Sequence, residues 1–336
     1  MTRIQQPTAV TITRAAALLR AGELVALPTE TVYGLGADAS NPDAAAQIFA
    51  AKGRPADHPL IVHLADAASL PDWARDIPKE AIALTRAFWP GPLTLILKKE
   101  VDVPDVVTGG QDTVGLRVPD HPVALALLRA FGGGIAAPSA NRFGRISPTT
   151  AQHVDDELGE RVAMILDGGA CDVGIESTIL DLSRLDEAGA VILRPGTIGP
   201  DAIAAVIGRR PTMRAPAMPH AGDAPRVSGS LAAHYAPRTP LSLVAAEALE
   251  AALAATGPDT AVIARRQAST TPHRSWIEAP ENAAGYAHDL YANLRALDAI
   301  GATQILVEAP PAQAGWEAVI DRLGRAAVGS GEDDET

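Results

Sequence analysis

The sequence predicts an α/β protein of two domains, and three observations lead there. Short apolar runs alternate with Ala- and Leu-rich segments, the pattern of strands separated by helices. That alternation stops at Arg209-Arg210-Pro211, where Pro211, Pro216, Pro219, Pro225, Pro237 and Pro240 follow one another with Gly222 and Gly229 among them; so many breakers exclude a regular element. The charge divides at the same place. Of the net −12, residues 1–238 carry −4 and residues 239–336 carry −8.

In the first part, apolar runs bounded by turn formers predict strands over 24–27, 60–64, 93–97, 114–118, 134–137, 163–167, 178–182 and 191–193. Helices are expected over 12–21, 42–51, 78–88, 121–131, 148–158 and 199–207. The clearest is 42–51. Asn41 can cap it, Pro42 suits a first turn that needs no amide donor, Ala44 to Ala51 favour the helix, and Gly53 stops it. Ser147, just before Pro148, is the expected cap of 148–158. Strands that follow one another with no room for a helix, within 93–118 and 163–193, predict a mixed sheet. Beyond the prolines, 241–244, 246–255, 261–264, 283–300, 305–308 and 316–326 spell β-α-β-α-β-α, a compact parallel unit. The expected organisation is therefore a domain over 1–208, a linker over 209–238, a smaller α/β domain over 239–328 and a solvated acidic tail over 329–336.

Composition excludes several classes. No apolar run approaches the roughly 18 residues of a membrane helix, the N-terminus has no signal-peptide stretch, and the sole cysteine, Cys171, cannot form an internal disulfide; a cytoplasmic protein is expected. The chain has no Gly-x-x-x-x-Gly-Lys-Ser/Thr loop, no Gly-x-Gly-x-x-Gly turn, no His-Glu-x-x-His and no Cys-x-x-Cys. Ser139, in Ala137-Pro138-Ser139-Ala140-Asn141, lacks the nucleophile elbow, so covalent catalysis is not the leading chemistry.

What remains is a set of polar segments at predicted strand ends, where open α/β sheets bind ligands. Pro28-Thr29-Glu30-Thr31-Val32-Tyr33-Gly34-Leu35-Gly36 and Lys52-Gly53-Arg54-Pro55-Ala56-Asp57-His58-Pro59-Leu60 are separated by one helix, so two cations and a histidine meet a threonine-rich turn. That suits anions. Lys52 and Arg54 are held at the helix end and in the loop beyond, close to the end of the strand over 24–27; taken alone they would be a solvated helix end, a reading the flanking pattern disfavours. Further along come His63, Thr113, Arg117, Ser139 with Asn141, Ser147, Glu176 to Thr178, and Arg194. Arg117, flanked by Leu116 and Val118, is the sharpest of these, because an arginine in a strand core needs a partner. Arg142 and Arg145 fit either the surface or a cavity rim.

Taken in order, Pro28-Thr-Glu-Thr-Val-Tyr-Gly-Leu, Lys52-Gly-Arg-Pro, His58-Pro-Leu, Val114-Gly-Leu-Arg-Val-Pro, Ala137-Pro-Ser-Ala-Asn, Glu176-Ser-Thr-Ile and Arg194-Pro-Gly resemble the YrdC-like domain of the threonylcarbamoyl-AMP synthase family over residues 1 to about 205. His234-Tyr235-Ala236-Pro237 and the acidic α/β domain resemble its long form. The resemblance implies a twisted mixed sheet with flanking helices and a concave cavity, joined to a Rossmann-like parallel domain. It implies a nucleotidyltransferase that turns ATP, L-threonine and bicarbonate into L-threonylcarbamoyl-AMP and pyrophosphate, with Mg²⁺ bound mainly through ATP phosphates. The product would serve the tRNA threonylcarbamoyl transferase machinery, which modifies adenosine beside the anticodon.

Carried over residue by residue, the resemblance implies Lys52 and Arg54 as catalytic cations. It implies threonine near Thr31, His63, Arg117, the Ala137 main chain and Ser177, with ATP near Arg54, His58, Thr113, Ser139, Ser147, Arg194 and, from a lid-forming linker, Tyr235. Ser228-Gly229-Ser230-Leu231-Ala232-Ala233 departs from the Pro-Gly-Met and basic residue expected before His234. Two other functions compete. An RNA-binding module fits poorly with −4 and no aromatic stacking set, which makes direct RNA contact secondary. A carbamoyl transferase of the hydrogenase-maturation kind would carry Cys-x-x-Cys segments that a chain with one cysteine lacks.

Overall fold

The computed structural model describes residues 3–214, 225–229 and 231–331, which pack as two units. One holds the residues up to 143 with 148–172 and 176–230; the other holds 144–147, 173–175 and 231 onward. This differs from the expected boundaries of 208 and 238. The cut falls inside the expected linker, and two short loops of the expected first domain group with the second unit. The contacts explain it: the Ala236 N–H donates to the Gly144 carbonyl at 2.8 Å, Arg145 bridges Ala236, and Gly174 lies so close to the His288 backbone that a Cβ would collide with it.

The first unit runs β1 (Ile4–Gln5), α1 (Ala9–Arg20), β2 (Val25–Leu27), β3 (Gly34–Asp38), α2 (Pro42–Lys52), β4 (Ile61–His63), α3 (Lys79–Phe88), β5 (Leu93–Lys98), α4 (Asp105–Thr108), β6 (Thr113–Arg117), α5 (Pro122–Phe131), β7 (Ile135–Ala136), α6 (Ala151–Leu158), β8 (Met164–Leu166), β9 (Thr178–Asp181), α7 (Leu185–Ala188), β10 (Val191–Arg194), α8 (Pro200–Ile207) and β11 (Thr212–Met213). Its strands form one mixed sheet in the order β1-β8-β2-β3-β7-β4-β6-β5-β9-β10-β11. Period-two alternation in β2 sends Leu24 and Ala26 to one apolar core with Leu35, Ile48 and Leu116, and sends Val25 and Leu27 to a second with Leu19, Leu127 and Met164 beneath α1 and α5.

The second unit comprises β12 (Leu241–Val244), α9 (Leu249–Thr256), β13 (Thr260–Ala264), β14 (Ser275–Glu278), α10 (Ala283–Asp298), β15 (Gln304–Glu308) and α11 (Glu317–Gly329). Its four strands are parallel in the order β12-β15-β13-β14. No described helix in either unit is long and apolar enough to cross a membrane.

Every expected strand is present, and the differences are instructive. Gly34–Asp38, read as part of a turn, is a strand; its glycines lower strand propensity, but a Cβ on Gly36 would lie 2.9 Å from both Leu27 Cδ2 and the Val25 carbonyl oxygen. The linker does contain a regular element, because Thr212–Met213 pairs parallel with Val191–Ile192. β14 turns the expected three-strand unit into four by pairing with β13. α1 begins three residues early, since Thr8 and Thr11 cap each other reciprocally. Ser147 does not cap α6, which begins at Ala151 with the Thr150 hydroxyl accepting from the His153 N–H. Pro216, Pro219 and Gly222 of the linker, and 332–336 of the expected tail, lie outside the described residues.

Candidate active site

The site in the first unit is built on strand ends and on one helix end. Asn41 caps α2 by accepting from the Asp43 and Ala44 N–H groups, and Gly53 ends it in the left-handed conformation at φ +63, where a residue without Cβ is least strained. The alternative of a solvated helix end is ruled out here. Lys52 is 4% exposed and Arg54 8%: the main chain of the Ala137-to-Asn141 segment lies across Lys52, while Pro59 and Ser228 close over Arg54. The Lys52 ammonium donates to the Ser139 and Asn141 carbonyls, both at 2.5 Å. Burial, and then the neighbouring Arg54, hold its pKa well below the usual lysine value.

Arg54 donates to the Pro59 carbonyl at 2.8 Å and to the Ser228 hydroxyl at 3.1 Å. His58 sits edge-on to Phe143 at 5.4 Å; burial first and Arg54 second lower its pKa. Ser139 bridges Gly34 in antiparallel fashion, so its carbonyl is fixed where Lys52 reads it. Asn141 is buried and donates to the Arg142 carbonyl at 2.6 Å.

Around Arg117 a second group gathers. At the end of β6, its Nη1 donates to the Thr31 hydroxyl at 3.0 Å, its Nε to the Gly91 carbonyl at 3.2 Å, and its Nη2 faces Glu30 Oε1 at 2.5 Å. Thr29 organises this turn, its hydroxyl 2.9 Å from that of Thr31 and accepting from the Thr31 and Val32 N–H groups. His63 pairs in register with Arg117 across β4 and β6. Burial, then Arg117, push its pKa down to about 3, so its ring is neutral near pH 7. The Ala137 N–H is committed to the Ile61 carbonyl at 2.9 Å, which leaves other main-chain groups of that residue for a ligand.

The third group joins Ser177 and Arg194, although the resemblance assigned them to different substrates. Arg194 donates through Nε and Nη2 to the Ser177 carbonyl at 3.1 and 3.0 Å, and through Nη2 to the Ser177 hydroxyl at 3.1 Å. That hydroxyl also lies 2.8 Å from Thr94 Oγ1. Gly196 is required beside them, because a Cβ there would strike the Thr178 N–H. Arg194 Nη1 donates to the Ser228 carbonyl at 3.1 Å. Ser228 therefore spans Arg54 and Arg194 and connects the first group to the third.

Residues 225–229 of the expected linker form one wall here. Val227 packs on Ile61, Ile96, Ile179 and Leu193. Gln111 clasps the Arg226 main chain, accepting from its N–H at 2.6 Å and donating to its carbonyl at 3.2 Å. A small pocket beside them is lined by Thr113, Gly115, Gln111, Leu60 and Ser228, among others. Ser147 and Tyr235, the remaining expected ATP contacts, are both buried and belong to the second unit.

Sequence reasoning missed Glu30 and Ser228. Glu30 is 4% exposed, and neither carboxylate oxygen accepts a well-directed hydrogen bond. An acidic residue in a segment otherwise destined for burial was the signal for it. Four buried cations, Lys52, Arg54, Arg117 and Arg194, thus line strand ends with hydroxyls of Thr31, Ser177 and Ser228 between them. Such a set suits carboxylate and phosphate oxygens.

A family model described as "Telomere recombination" matches residues 17–196, and one described as "Threonylcarbamoyl-AMP synthase, C-terminal domain" matches 198–328. The chain is 50% identical over 233 residues to threonylcarbamoyl-AMP synthase of Bacillus subtilis and 46% identical over 233 residues to that of Pyrococcus abyssi. These alignments cover 69% and 68% of this chain, and they span 66% of each relative's length. Among solved structures, P. abyssi Sua5 complexed with L-threonine superposes with a TM-score of 0.88 at 38% identity, covering 98% of both chains. E. coli YciO matches with a TM-score of 0.51 at 26% identity, covering 58% of this chain and 96% of that one.

Proposed function

Because the chain belongs to the threonylcarbamoyl-AMP synthase family, we propose that it converts ATP, L-threonine and bicarbonate into L-threonylcarbamoyl-AMP and pyrophosphate, for the threonylcarbamoyl modification of tRNA adenosine beside the anticodon. The observation that carries this reading is the gathering of four buried cations in a chain of net −12. A carboxylate, a carbamate and a triphosphate must share one cavity, and only fixed positive charge makes that tolerable.

The threonine amine and bicarbonate combine as a carbamate with loss of water. A carbamate oxygen then attacks the α-phosphorus of ATP, the bond to the β-phosphate bridging oxygen breaks, and pyrophosphate leaves. No side-chain nucleophile is needed. Arg117 takes the threonine carboxylate in a bidentate pair, exchanging contacts now made to Glu30 and Thr31. Neutral His63 and the Ser177 hydroxyl orient the amino acid. Lys52 and Arg54 stabilise charge on the phosphates, with His58, Thr113, Ser139 and Arg194 as further ATP contacts. Apart from the Glu30 carboxylate, the side chains gathered here are cations and hydroxyls suited to phosphate oxygens, so Mg²⁺ would be held mainly by the ATP phosphates, where it would supply charge neutralisation for the leaving pyrophosphate. Orientation supplies much of the rest, worth roughly 7 kcal/mol or more for well-aligned reactants.

The experiment mixes purified protein with ATP, Mg²⁺, L-threonine and labelled bicarbonate, then looks for threonylcarbamoyl adenylate by mass spectrometry and for released pyrophosphate. Both should appear, and omitting threonine should abolish both. ATP turnover that is indifferent to threonine would reject the reading.

A further inference from the structure

Glu30 is a buried carboxylate whose counter-charge, among the described residues, is Arg117, the group read above as the partner of the threonine carboxylate. It is 4% exposed, and its Oε1 lies 2.5 Å from Arg117 Nη2. Neither carboxylate oxygen makes a well-directed hydrogen bond, and nor does that Nη2. The pair is close but misaligned, so it neutralises charge without the fork geometry that makes an arginine and a carboxylate hold each other firmly. The other titratable groups around it supply no positive charge near pH 7. Burial above all lowers the His121 pKa, and burial, then Glu30 itself, push the Cys171 thiol up. His63, beside Arg117 across the sheet, is neutral, and Asp120 and Asp172 are exposed acids.

Threonine upsets this balance. Once its carboxylate sits on Arg117, Glu30 loses its cation while a second negative charge enters a buried place, which is costly unless a new cation reaches Glu30. The amino acid brings that cation with it, because its ammonium is one carbon away from its carboxylate. The same nitrogen must shed a proton before it can bond to the carbon of bicarbonate. Thr31 and Ser177 are hydroxyls and Arg117 stays protonated, whereas Glu30 is an anion with accepting capacity unspent.

We propose that Glu30 is a catalytic residue for carbamate formation: displaced from Arg117 by the threonine carboxylate, it pairs with the threonine ammonium and accepts the proton that this nitrogen must lose. This rests on threonine binding through Arg117, as read above. One ammonium proton passes to Glu30, the nitrogen lone pair forms the N–C bond to bicarbonate, and the C–OH bond breaks. The departing hydroxide takes a second nitrogen proton and leaves as water, so the carbamate keeps one N–H. The proton on Glu30 returns to solvent after turnover.

The test uses the full chain. Calorimetric titrations compare L-threonine with (R)-3-hydroxybutyrate, which is L-threonine without its amine. The parent should prefer threonine by at least about tenfold, the size of one charge-assisted contact. Glu30→Gln should cut that preference to about threefold or less, yet bind the analogue as well as the parent or better, because the carboxylate competing for Arg117 is gone; a Glu30 that only props up Arg117 would weaken both ligands alike. In pyrophosphate release at saturating ATP and bicarbonate, Glu30→Gln should lower kcat about a hundredfold at about pH 7. It should regain at least about tenfold of this relative to the parent by about pH 9, where more threonine arrives with its amine free. If Glu30→Gln does not fold, Glu30→Asp decides: its charge sits one methylene back, so the preference should fall at least about threefold with the analogue's affinity unchanged. An unchanged preference, equal weakening of both ligands, or a rate ratio that stays flat with pH would overturn the proposal. Should Arg117→Lys leave threonine affinity unaltered, the threonine site itself fails and Glu30's role with it; should Arg117→Lys weaken both ligands while Glu30→Gln keeps the full preference, only Glu30's role fails.

Discussion

Single residues show where physical chemistry constrains the site most tightly. Arg117→Lys keeps the charge but cannot serve Thr31, Gly91 and Glu30 at once, so the threonine KM should rise about tenfold or more while the ATP KM moves little, as substrate titrations would show. Lys52→Ala strands two buried carbonyls and should cost about 2 kcal/mol of stability in urea denaturation in addition to turnover; a surface lysine would cost almost nothing. His63 gives a pH signature. Its pKa is about 3 when folded against about 6.5 when unfolded, so between those values the unfolded chain binds more protons. Stability should therefore fall as pH drops below about 6.5, by up to about 1.4 kcal/mol per pH unit, and flatten below about 3. His63→Asn should lose less stability than the parent between pH 7 and 5. Arg117 was legible in the sequence because a charged residue sat between two apolar ones in a strand. The burial of Lys52 was not, since it depends on the Ala137-to-Asn141 segment, which returns from about ninety positions away.

At the scale of elements, local chemistry spoke clearly wherever it was self-contained. α2 could be read with its cap, its first-turn proline and its terminating glycine because all three act within a few residues. β3, β11 and β14 could not, for each is a strand only by virtue of a partner distant in sequence or a pairing of a few residues. The same holds for residues 225–229, which proline and glycine content marks as irregular and which are irregular, yet they are held by Gln111, Arg54, Arg194 and four apolar side chains. Val227→Asp tests whether that attachment matters. Placing a carboxylate against Ile61, Ile96, Ile179 and Leu193 should release the segment, making it more sensitive to limited proteolysis and raising the ATP KM about tenfold, in line with the loss of one buried valine. Thermal unfolding of the rest should change little.

For the whole molecule, the division of charge and the division into units together suggest how the labour is split. The four cations of the candidate site lie in the first unit, and the excess negative charge lies beyond residue 238, so the second unit is a poor place to receive a polyanion. Two truncations separate these roles. A chain ending at residue 208 loses Ser228 and Val227 from the cation-lined wall as well as residues 231–336, whereas one ending at 230 keeps Ser228 on Arg54 and Arg194 and loses residues 231–336, Tyr235 among them. Threonine binding should survive in both, because Thr31, His63, Arg117 and Ser177 all lie before either end. ATP affinity should fall in the longer fragment and fall further in the shorter one, measurable by calorimetric titration with a non-hydrolysable ATP analogue. Equal ATP affinity in both fragments would mean that residues 209–230 contribute nothing beyond their attachment, and full-length affinity in both would make the linker and second unit dispensable for nucleotide binding.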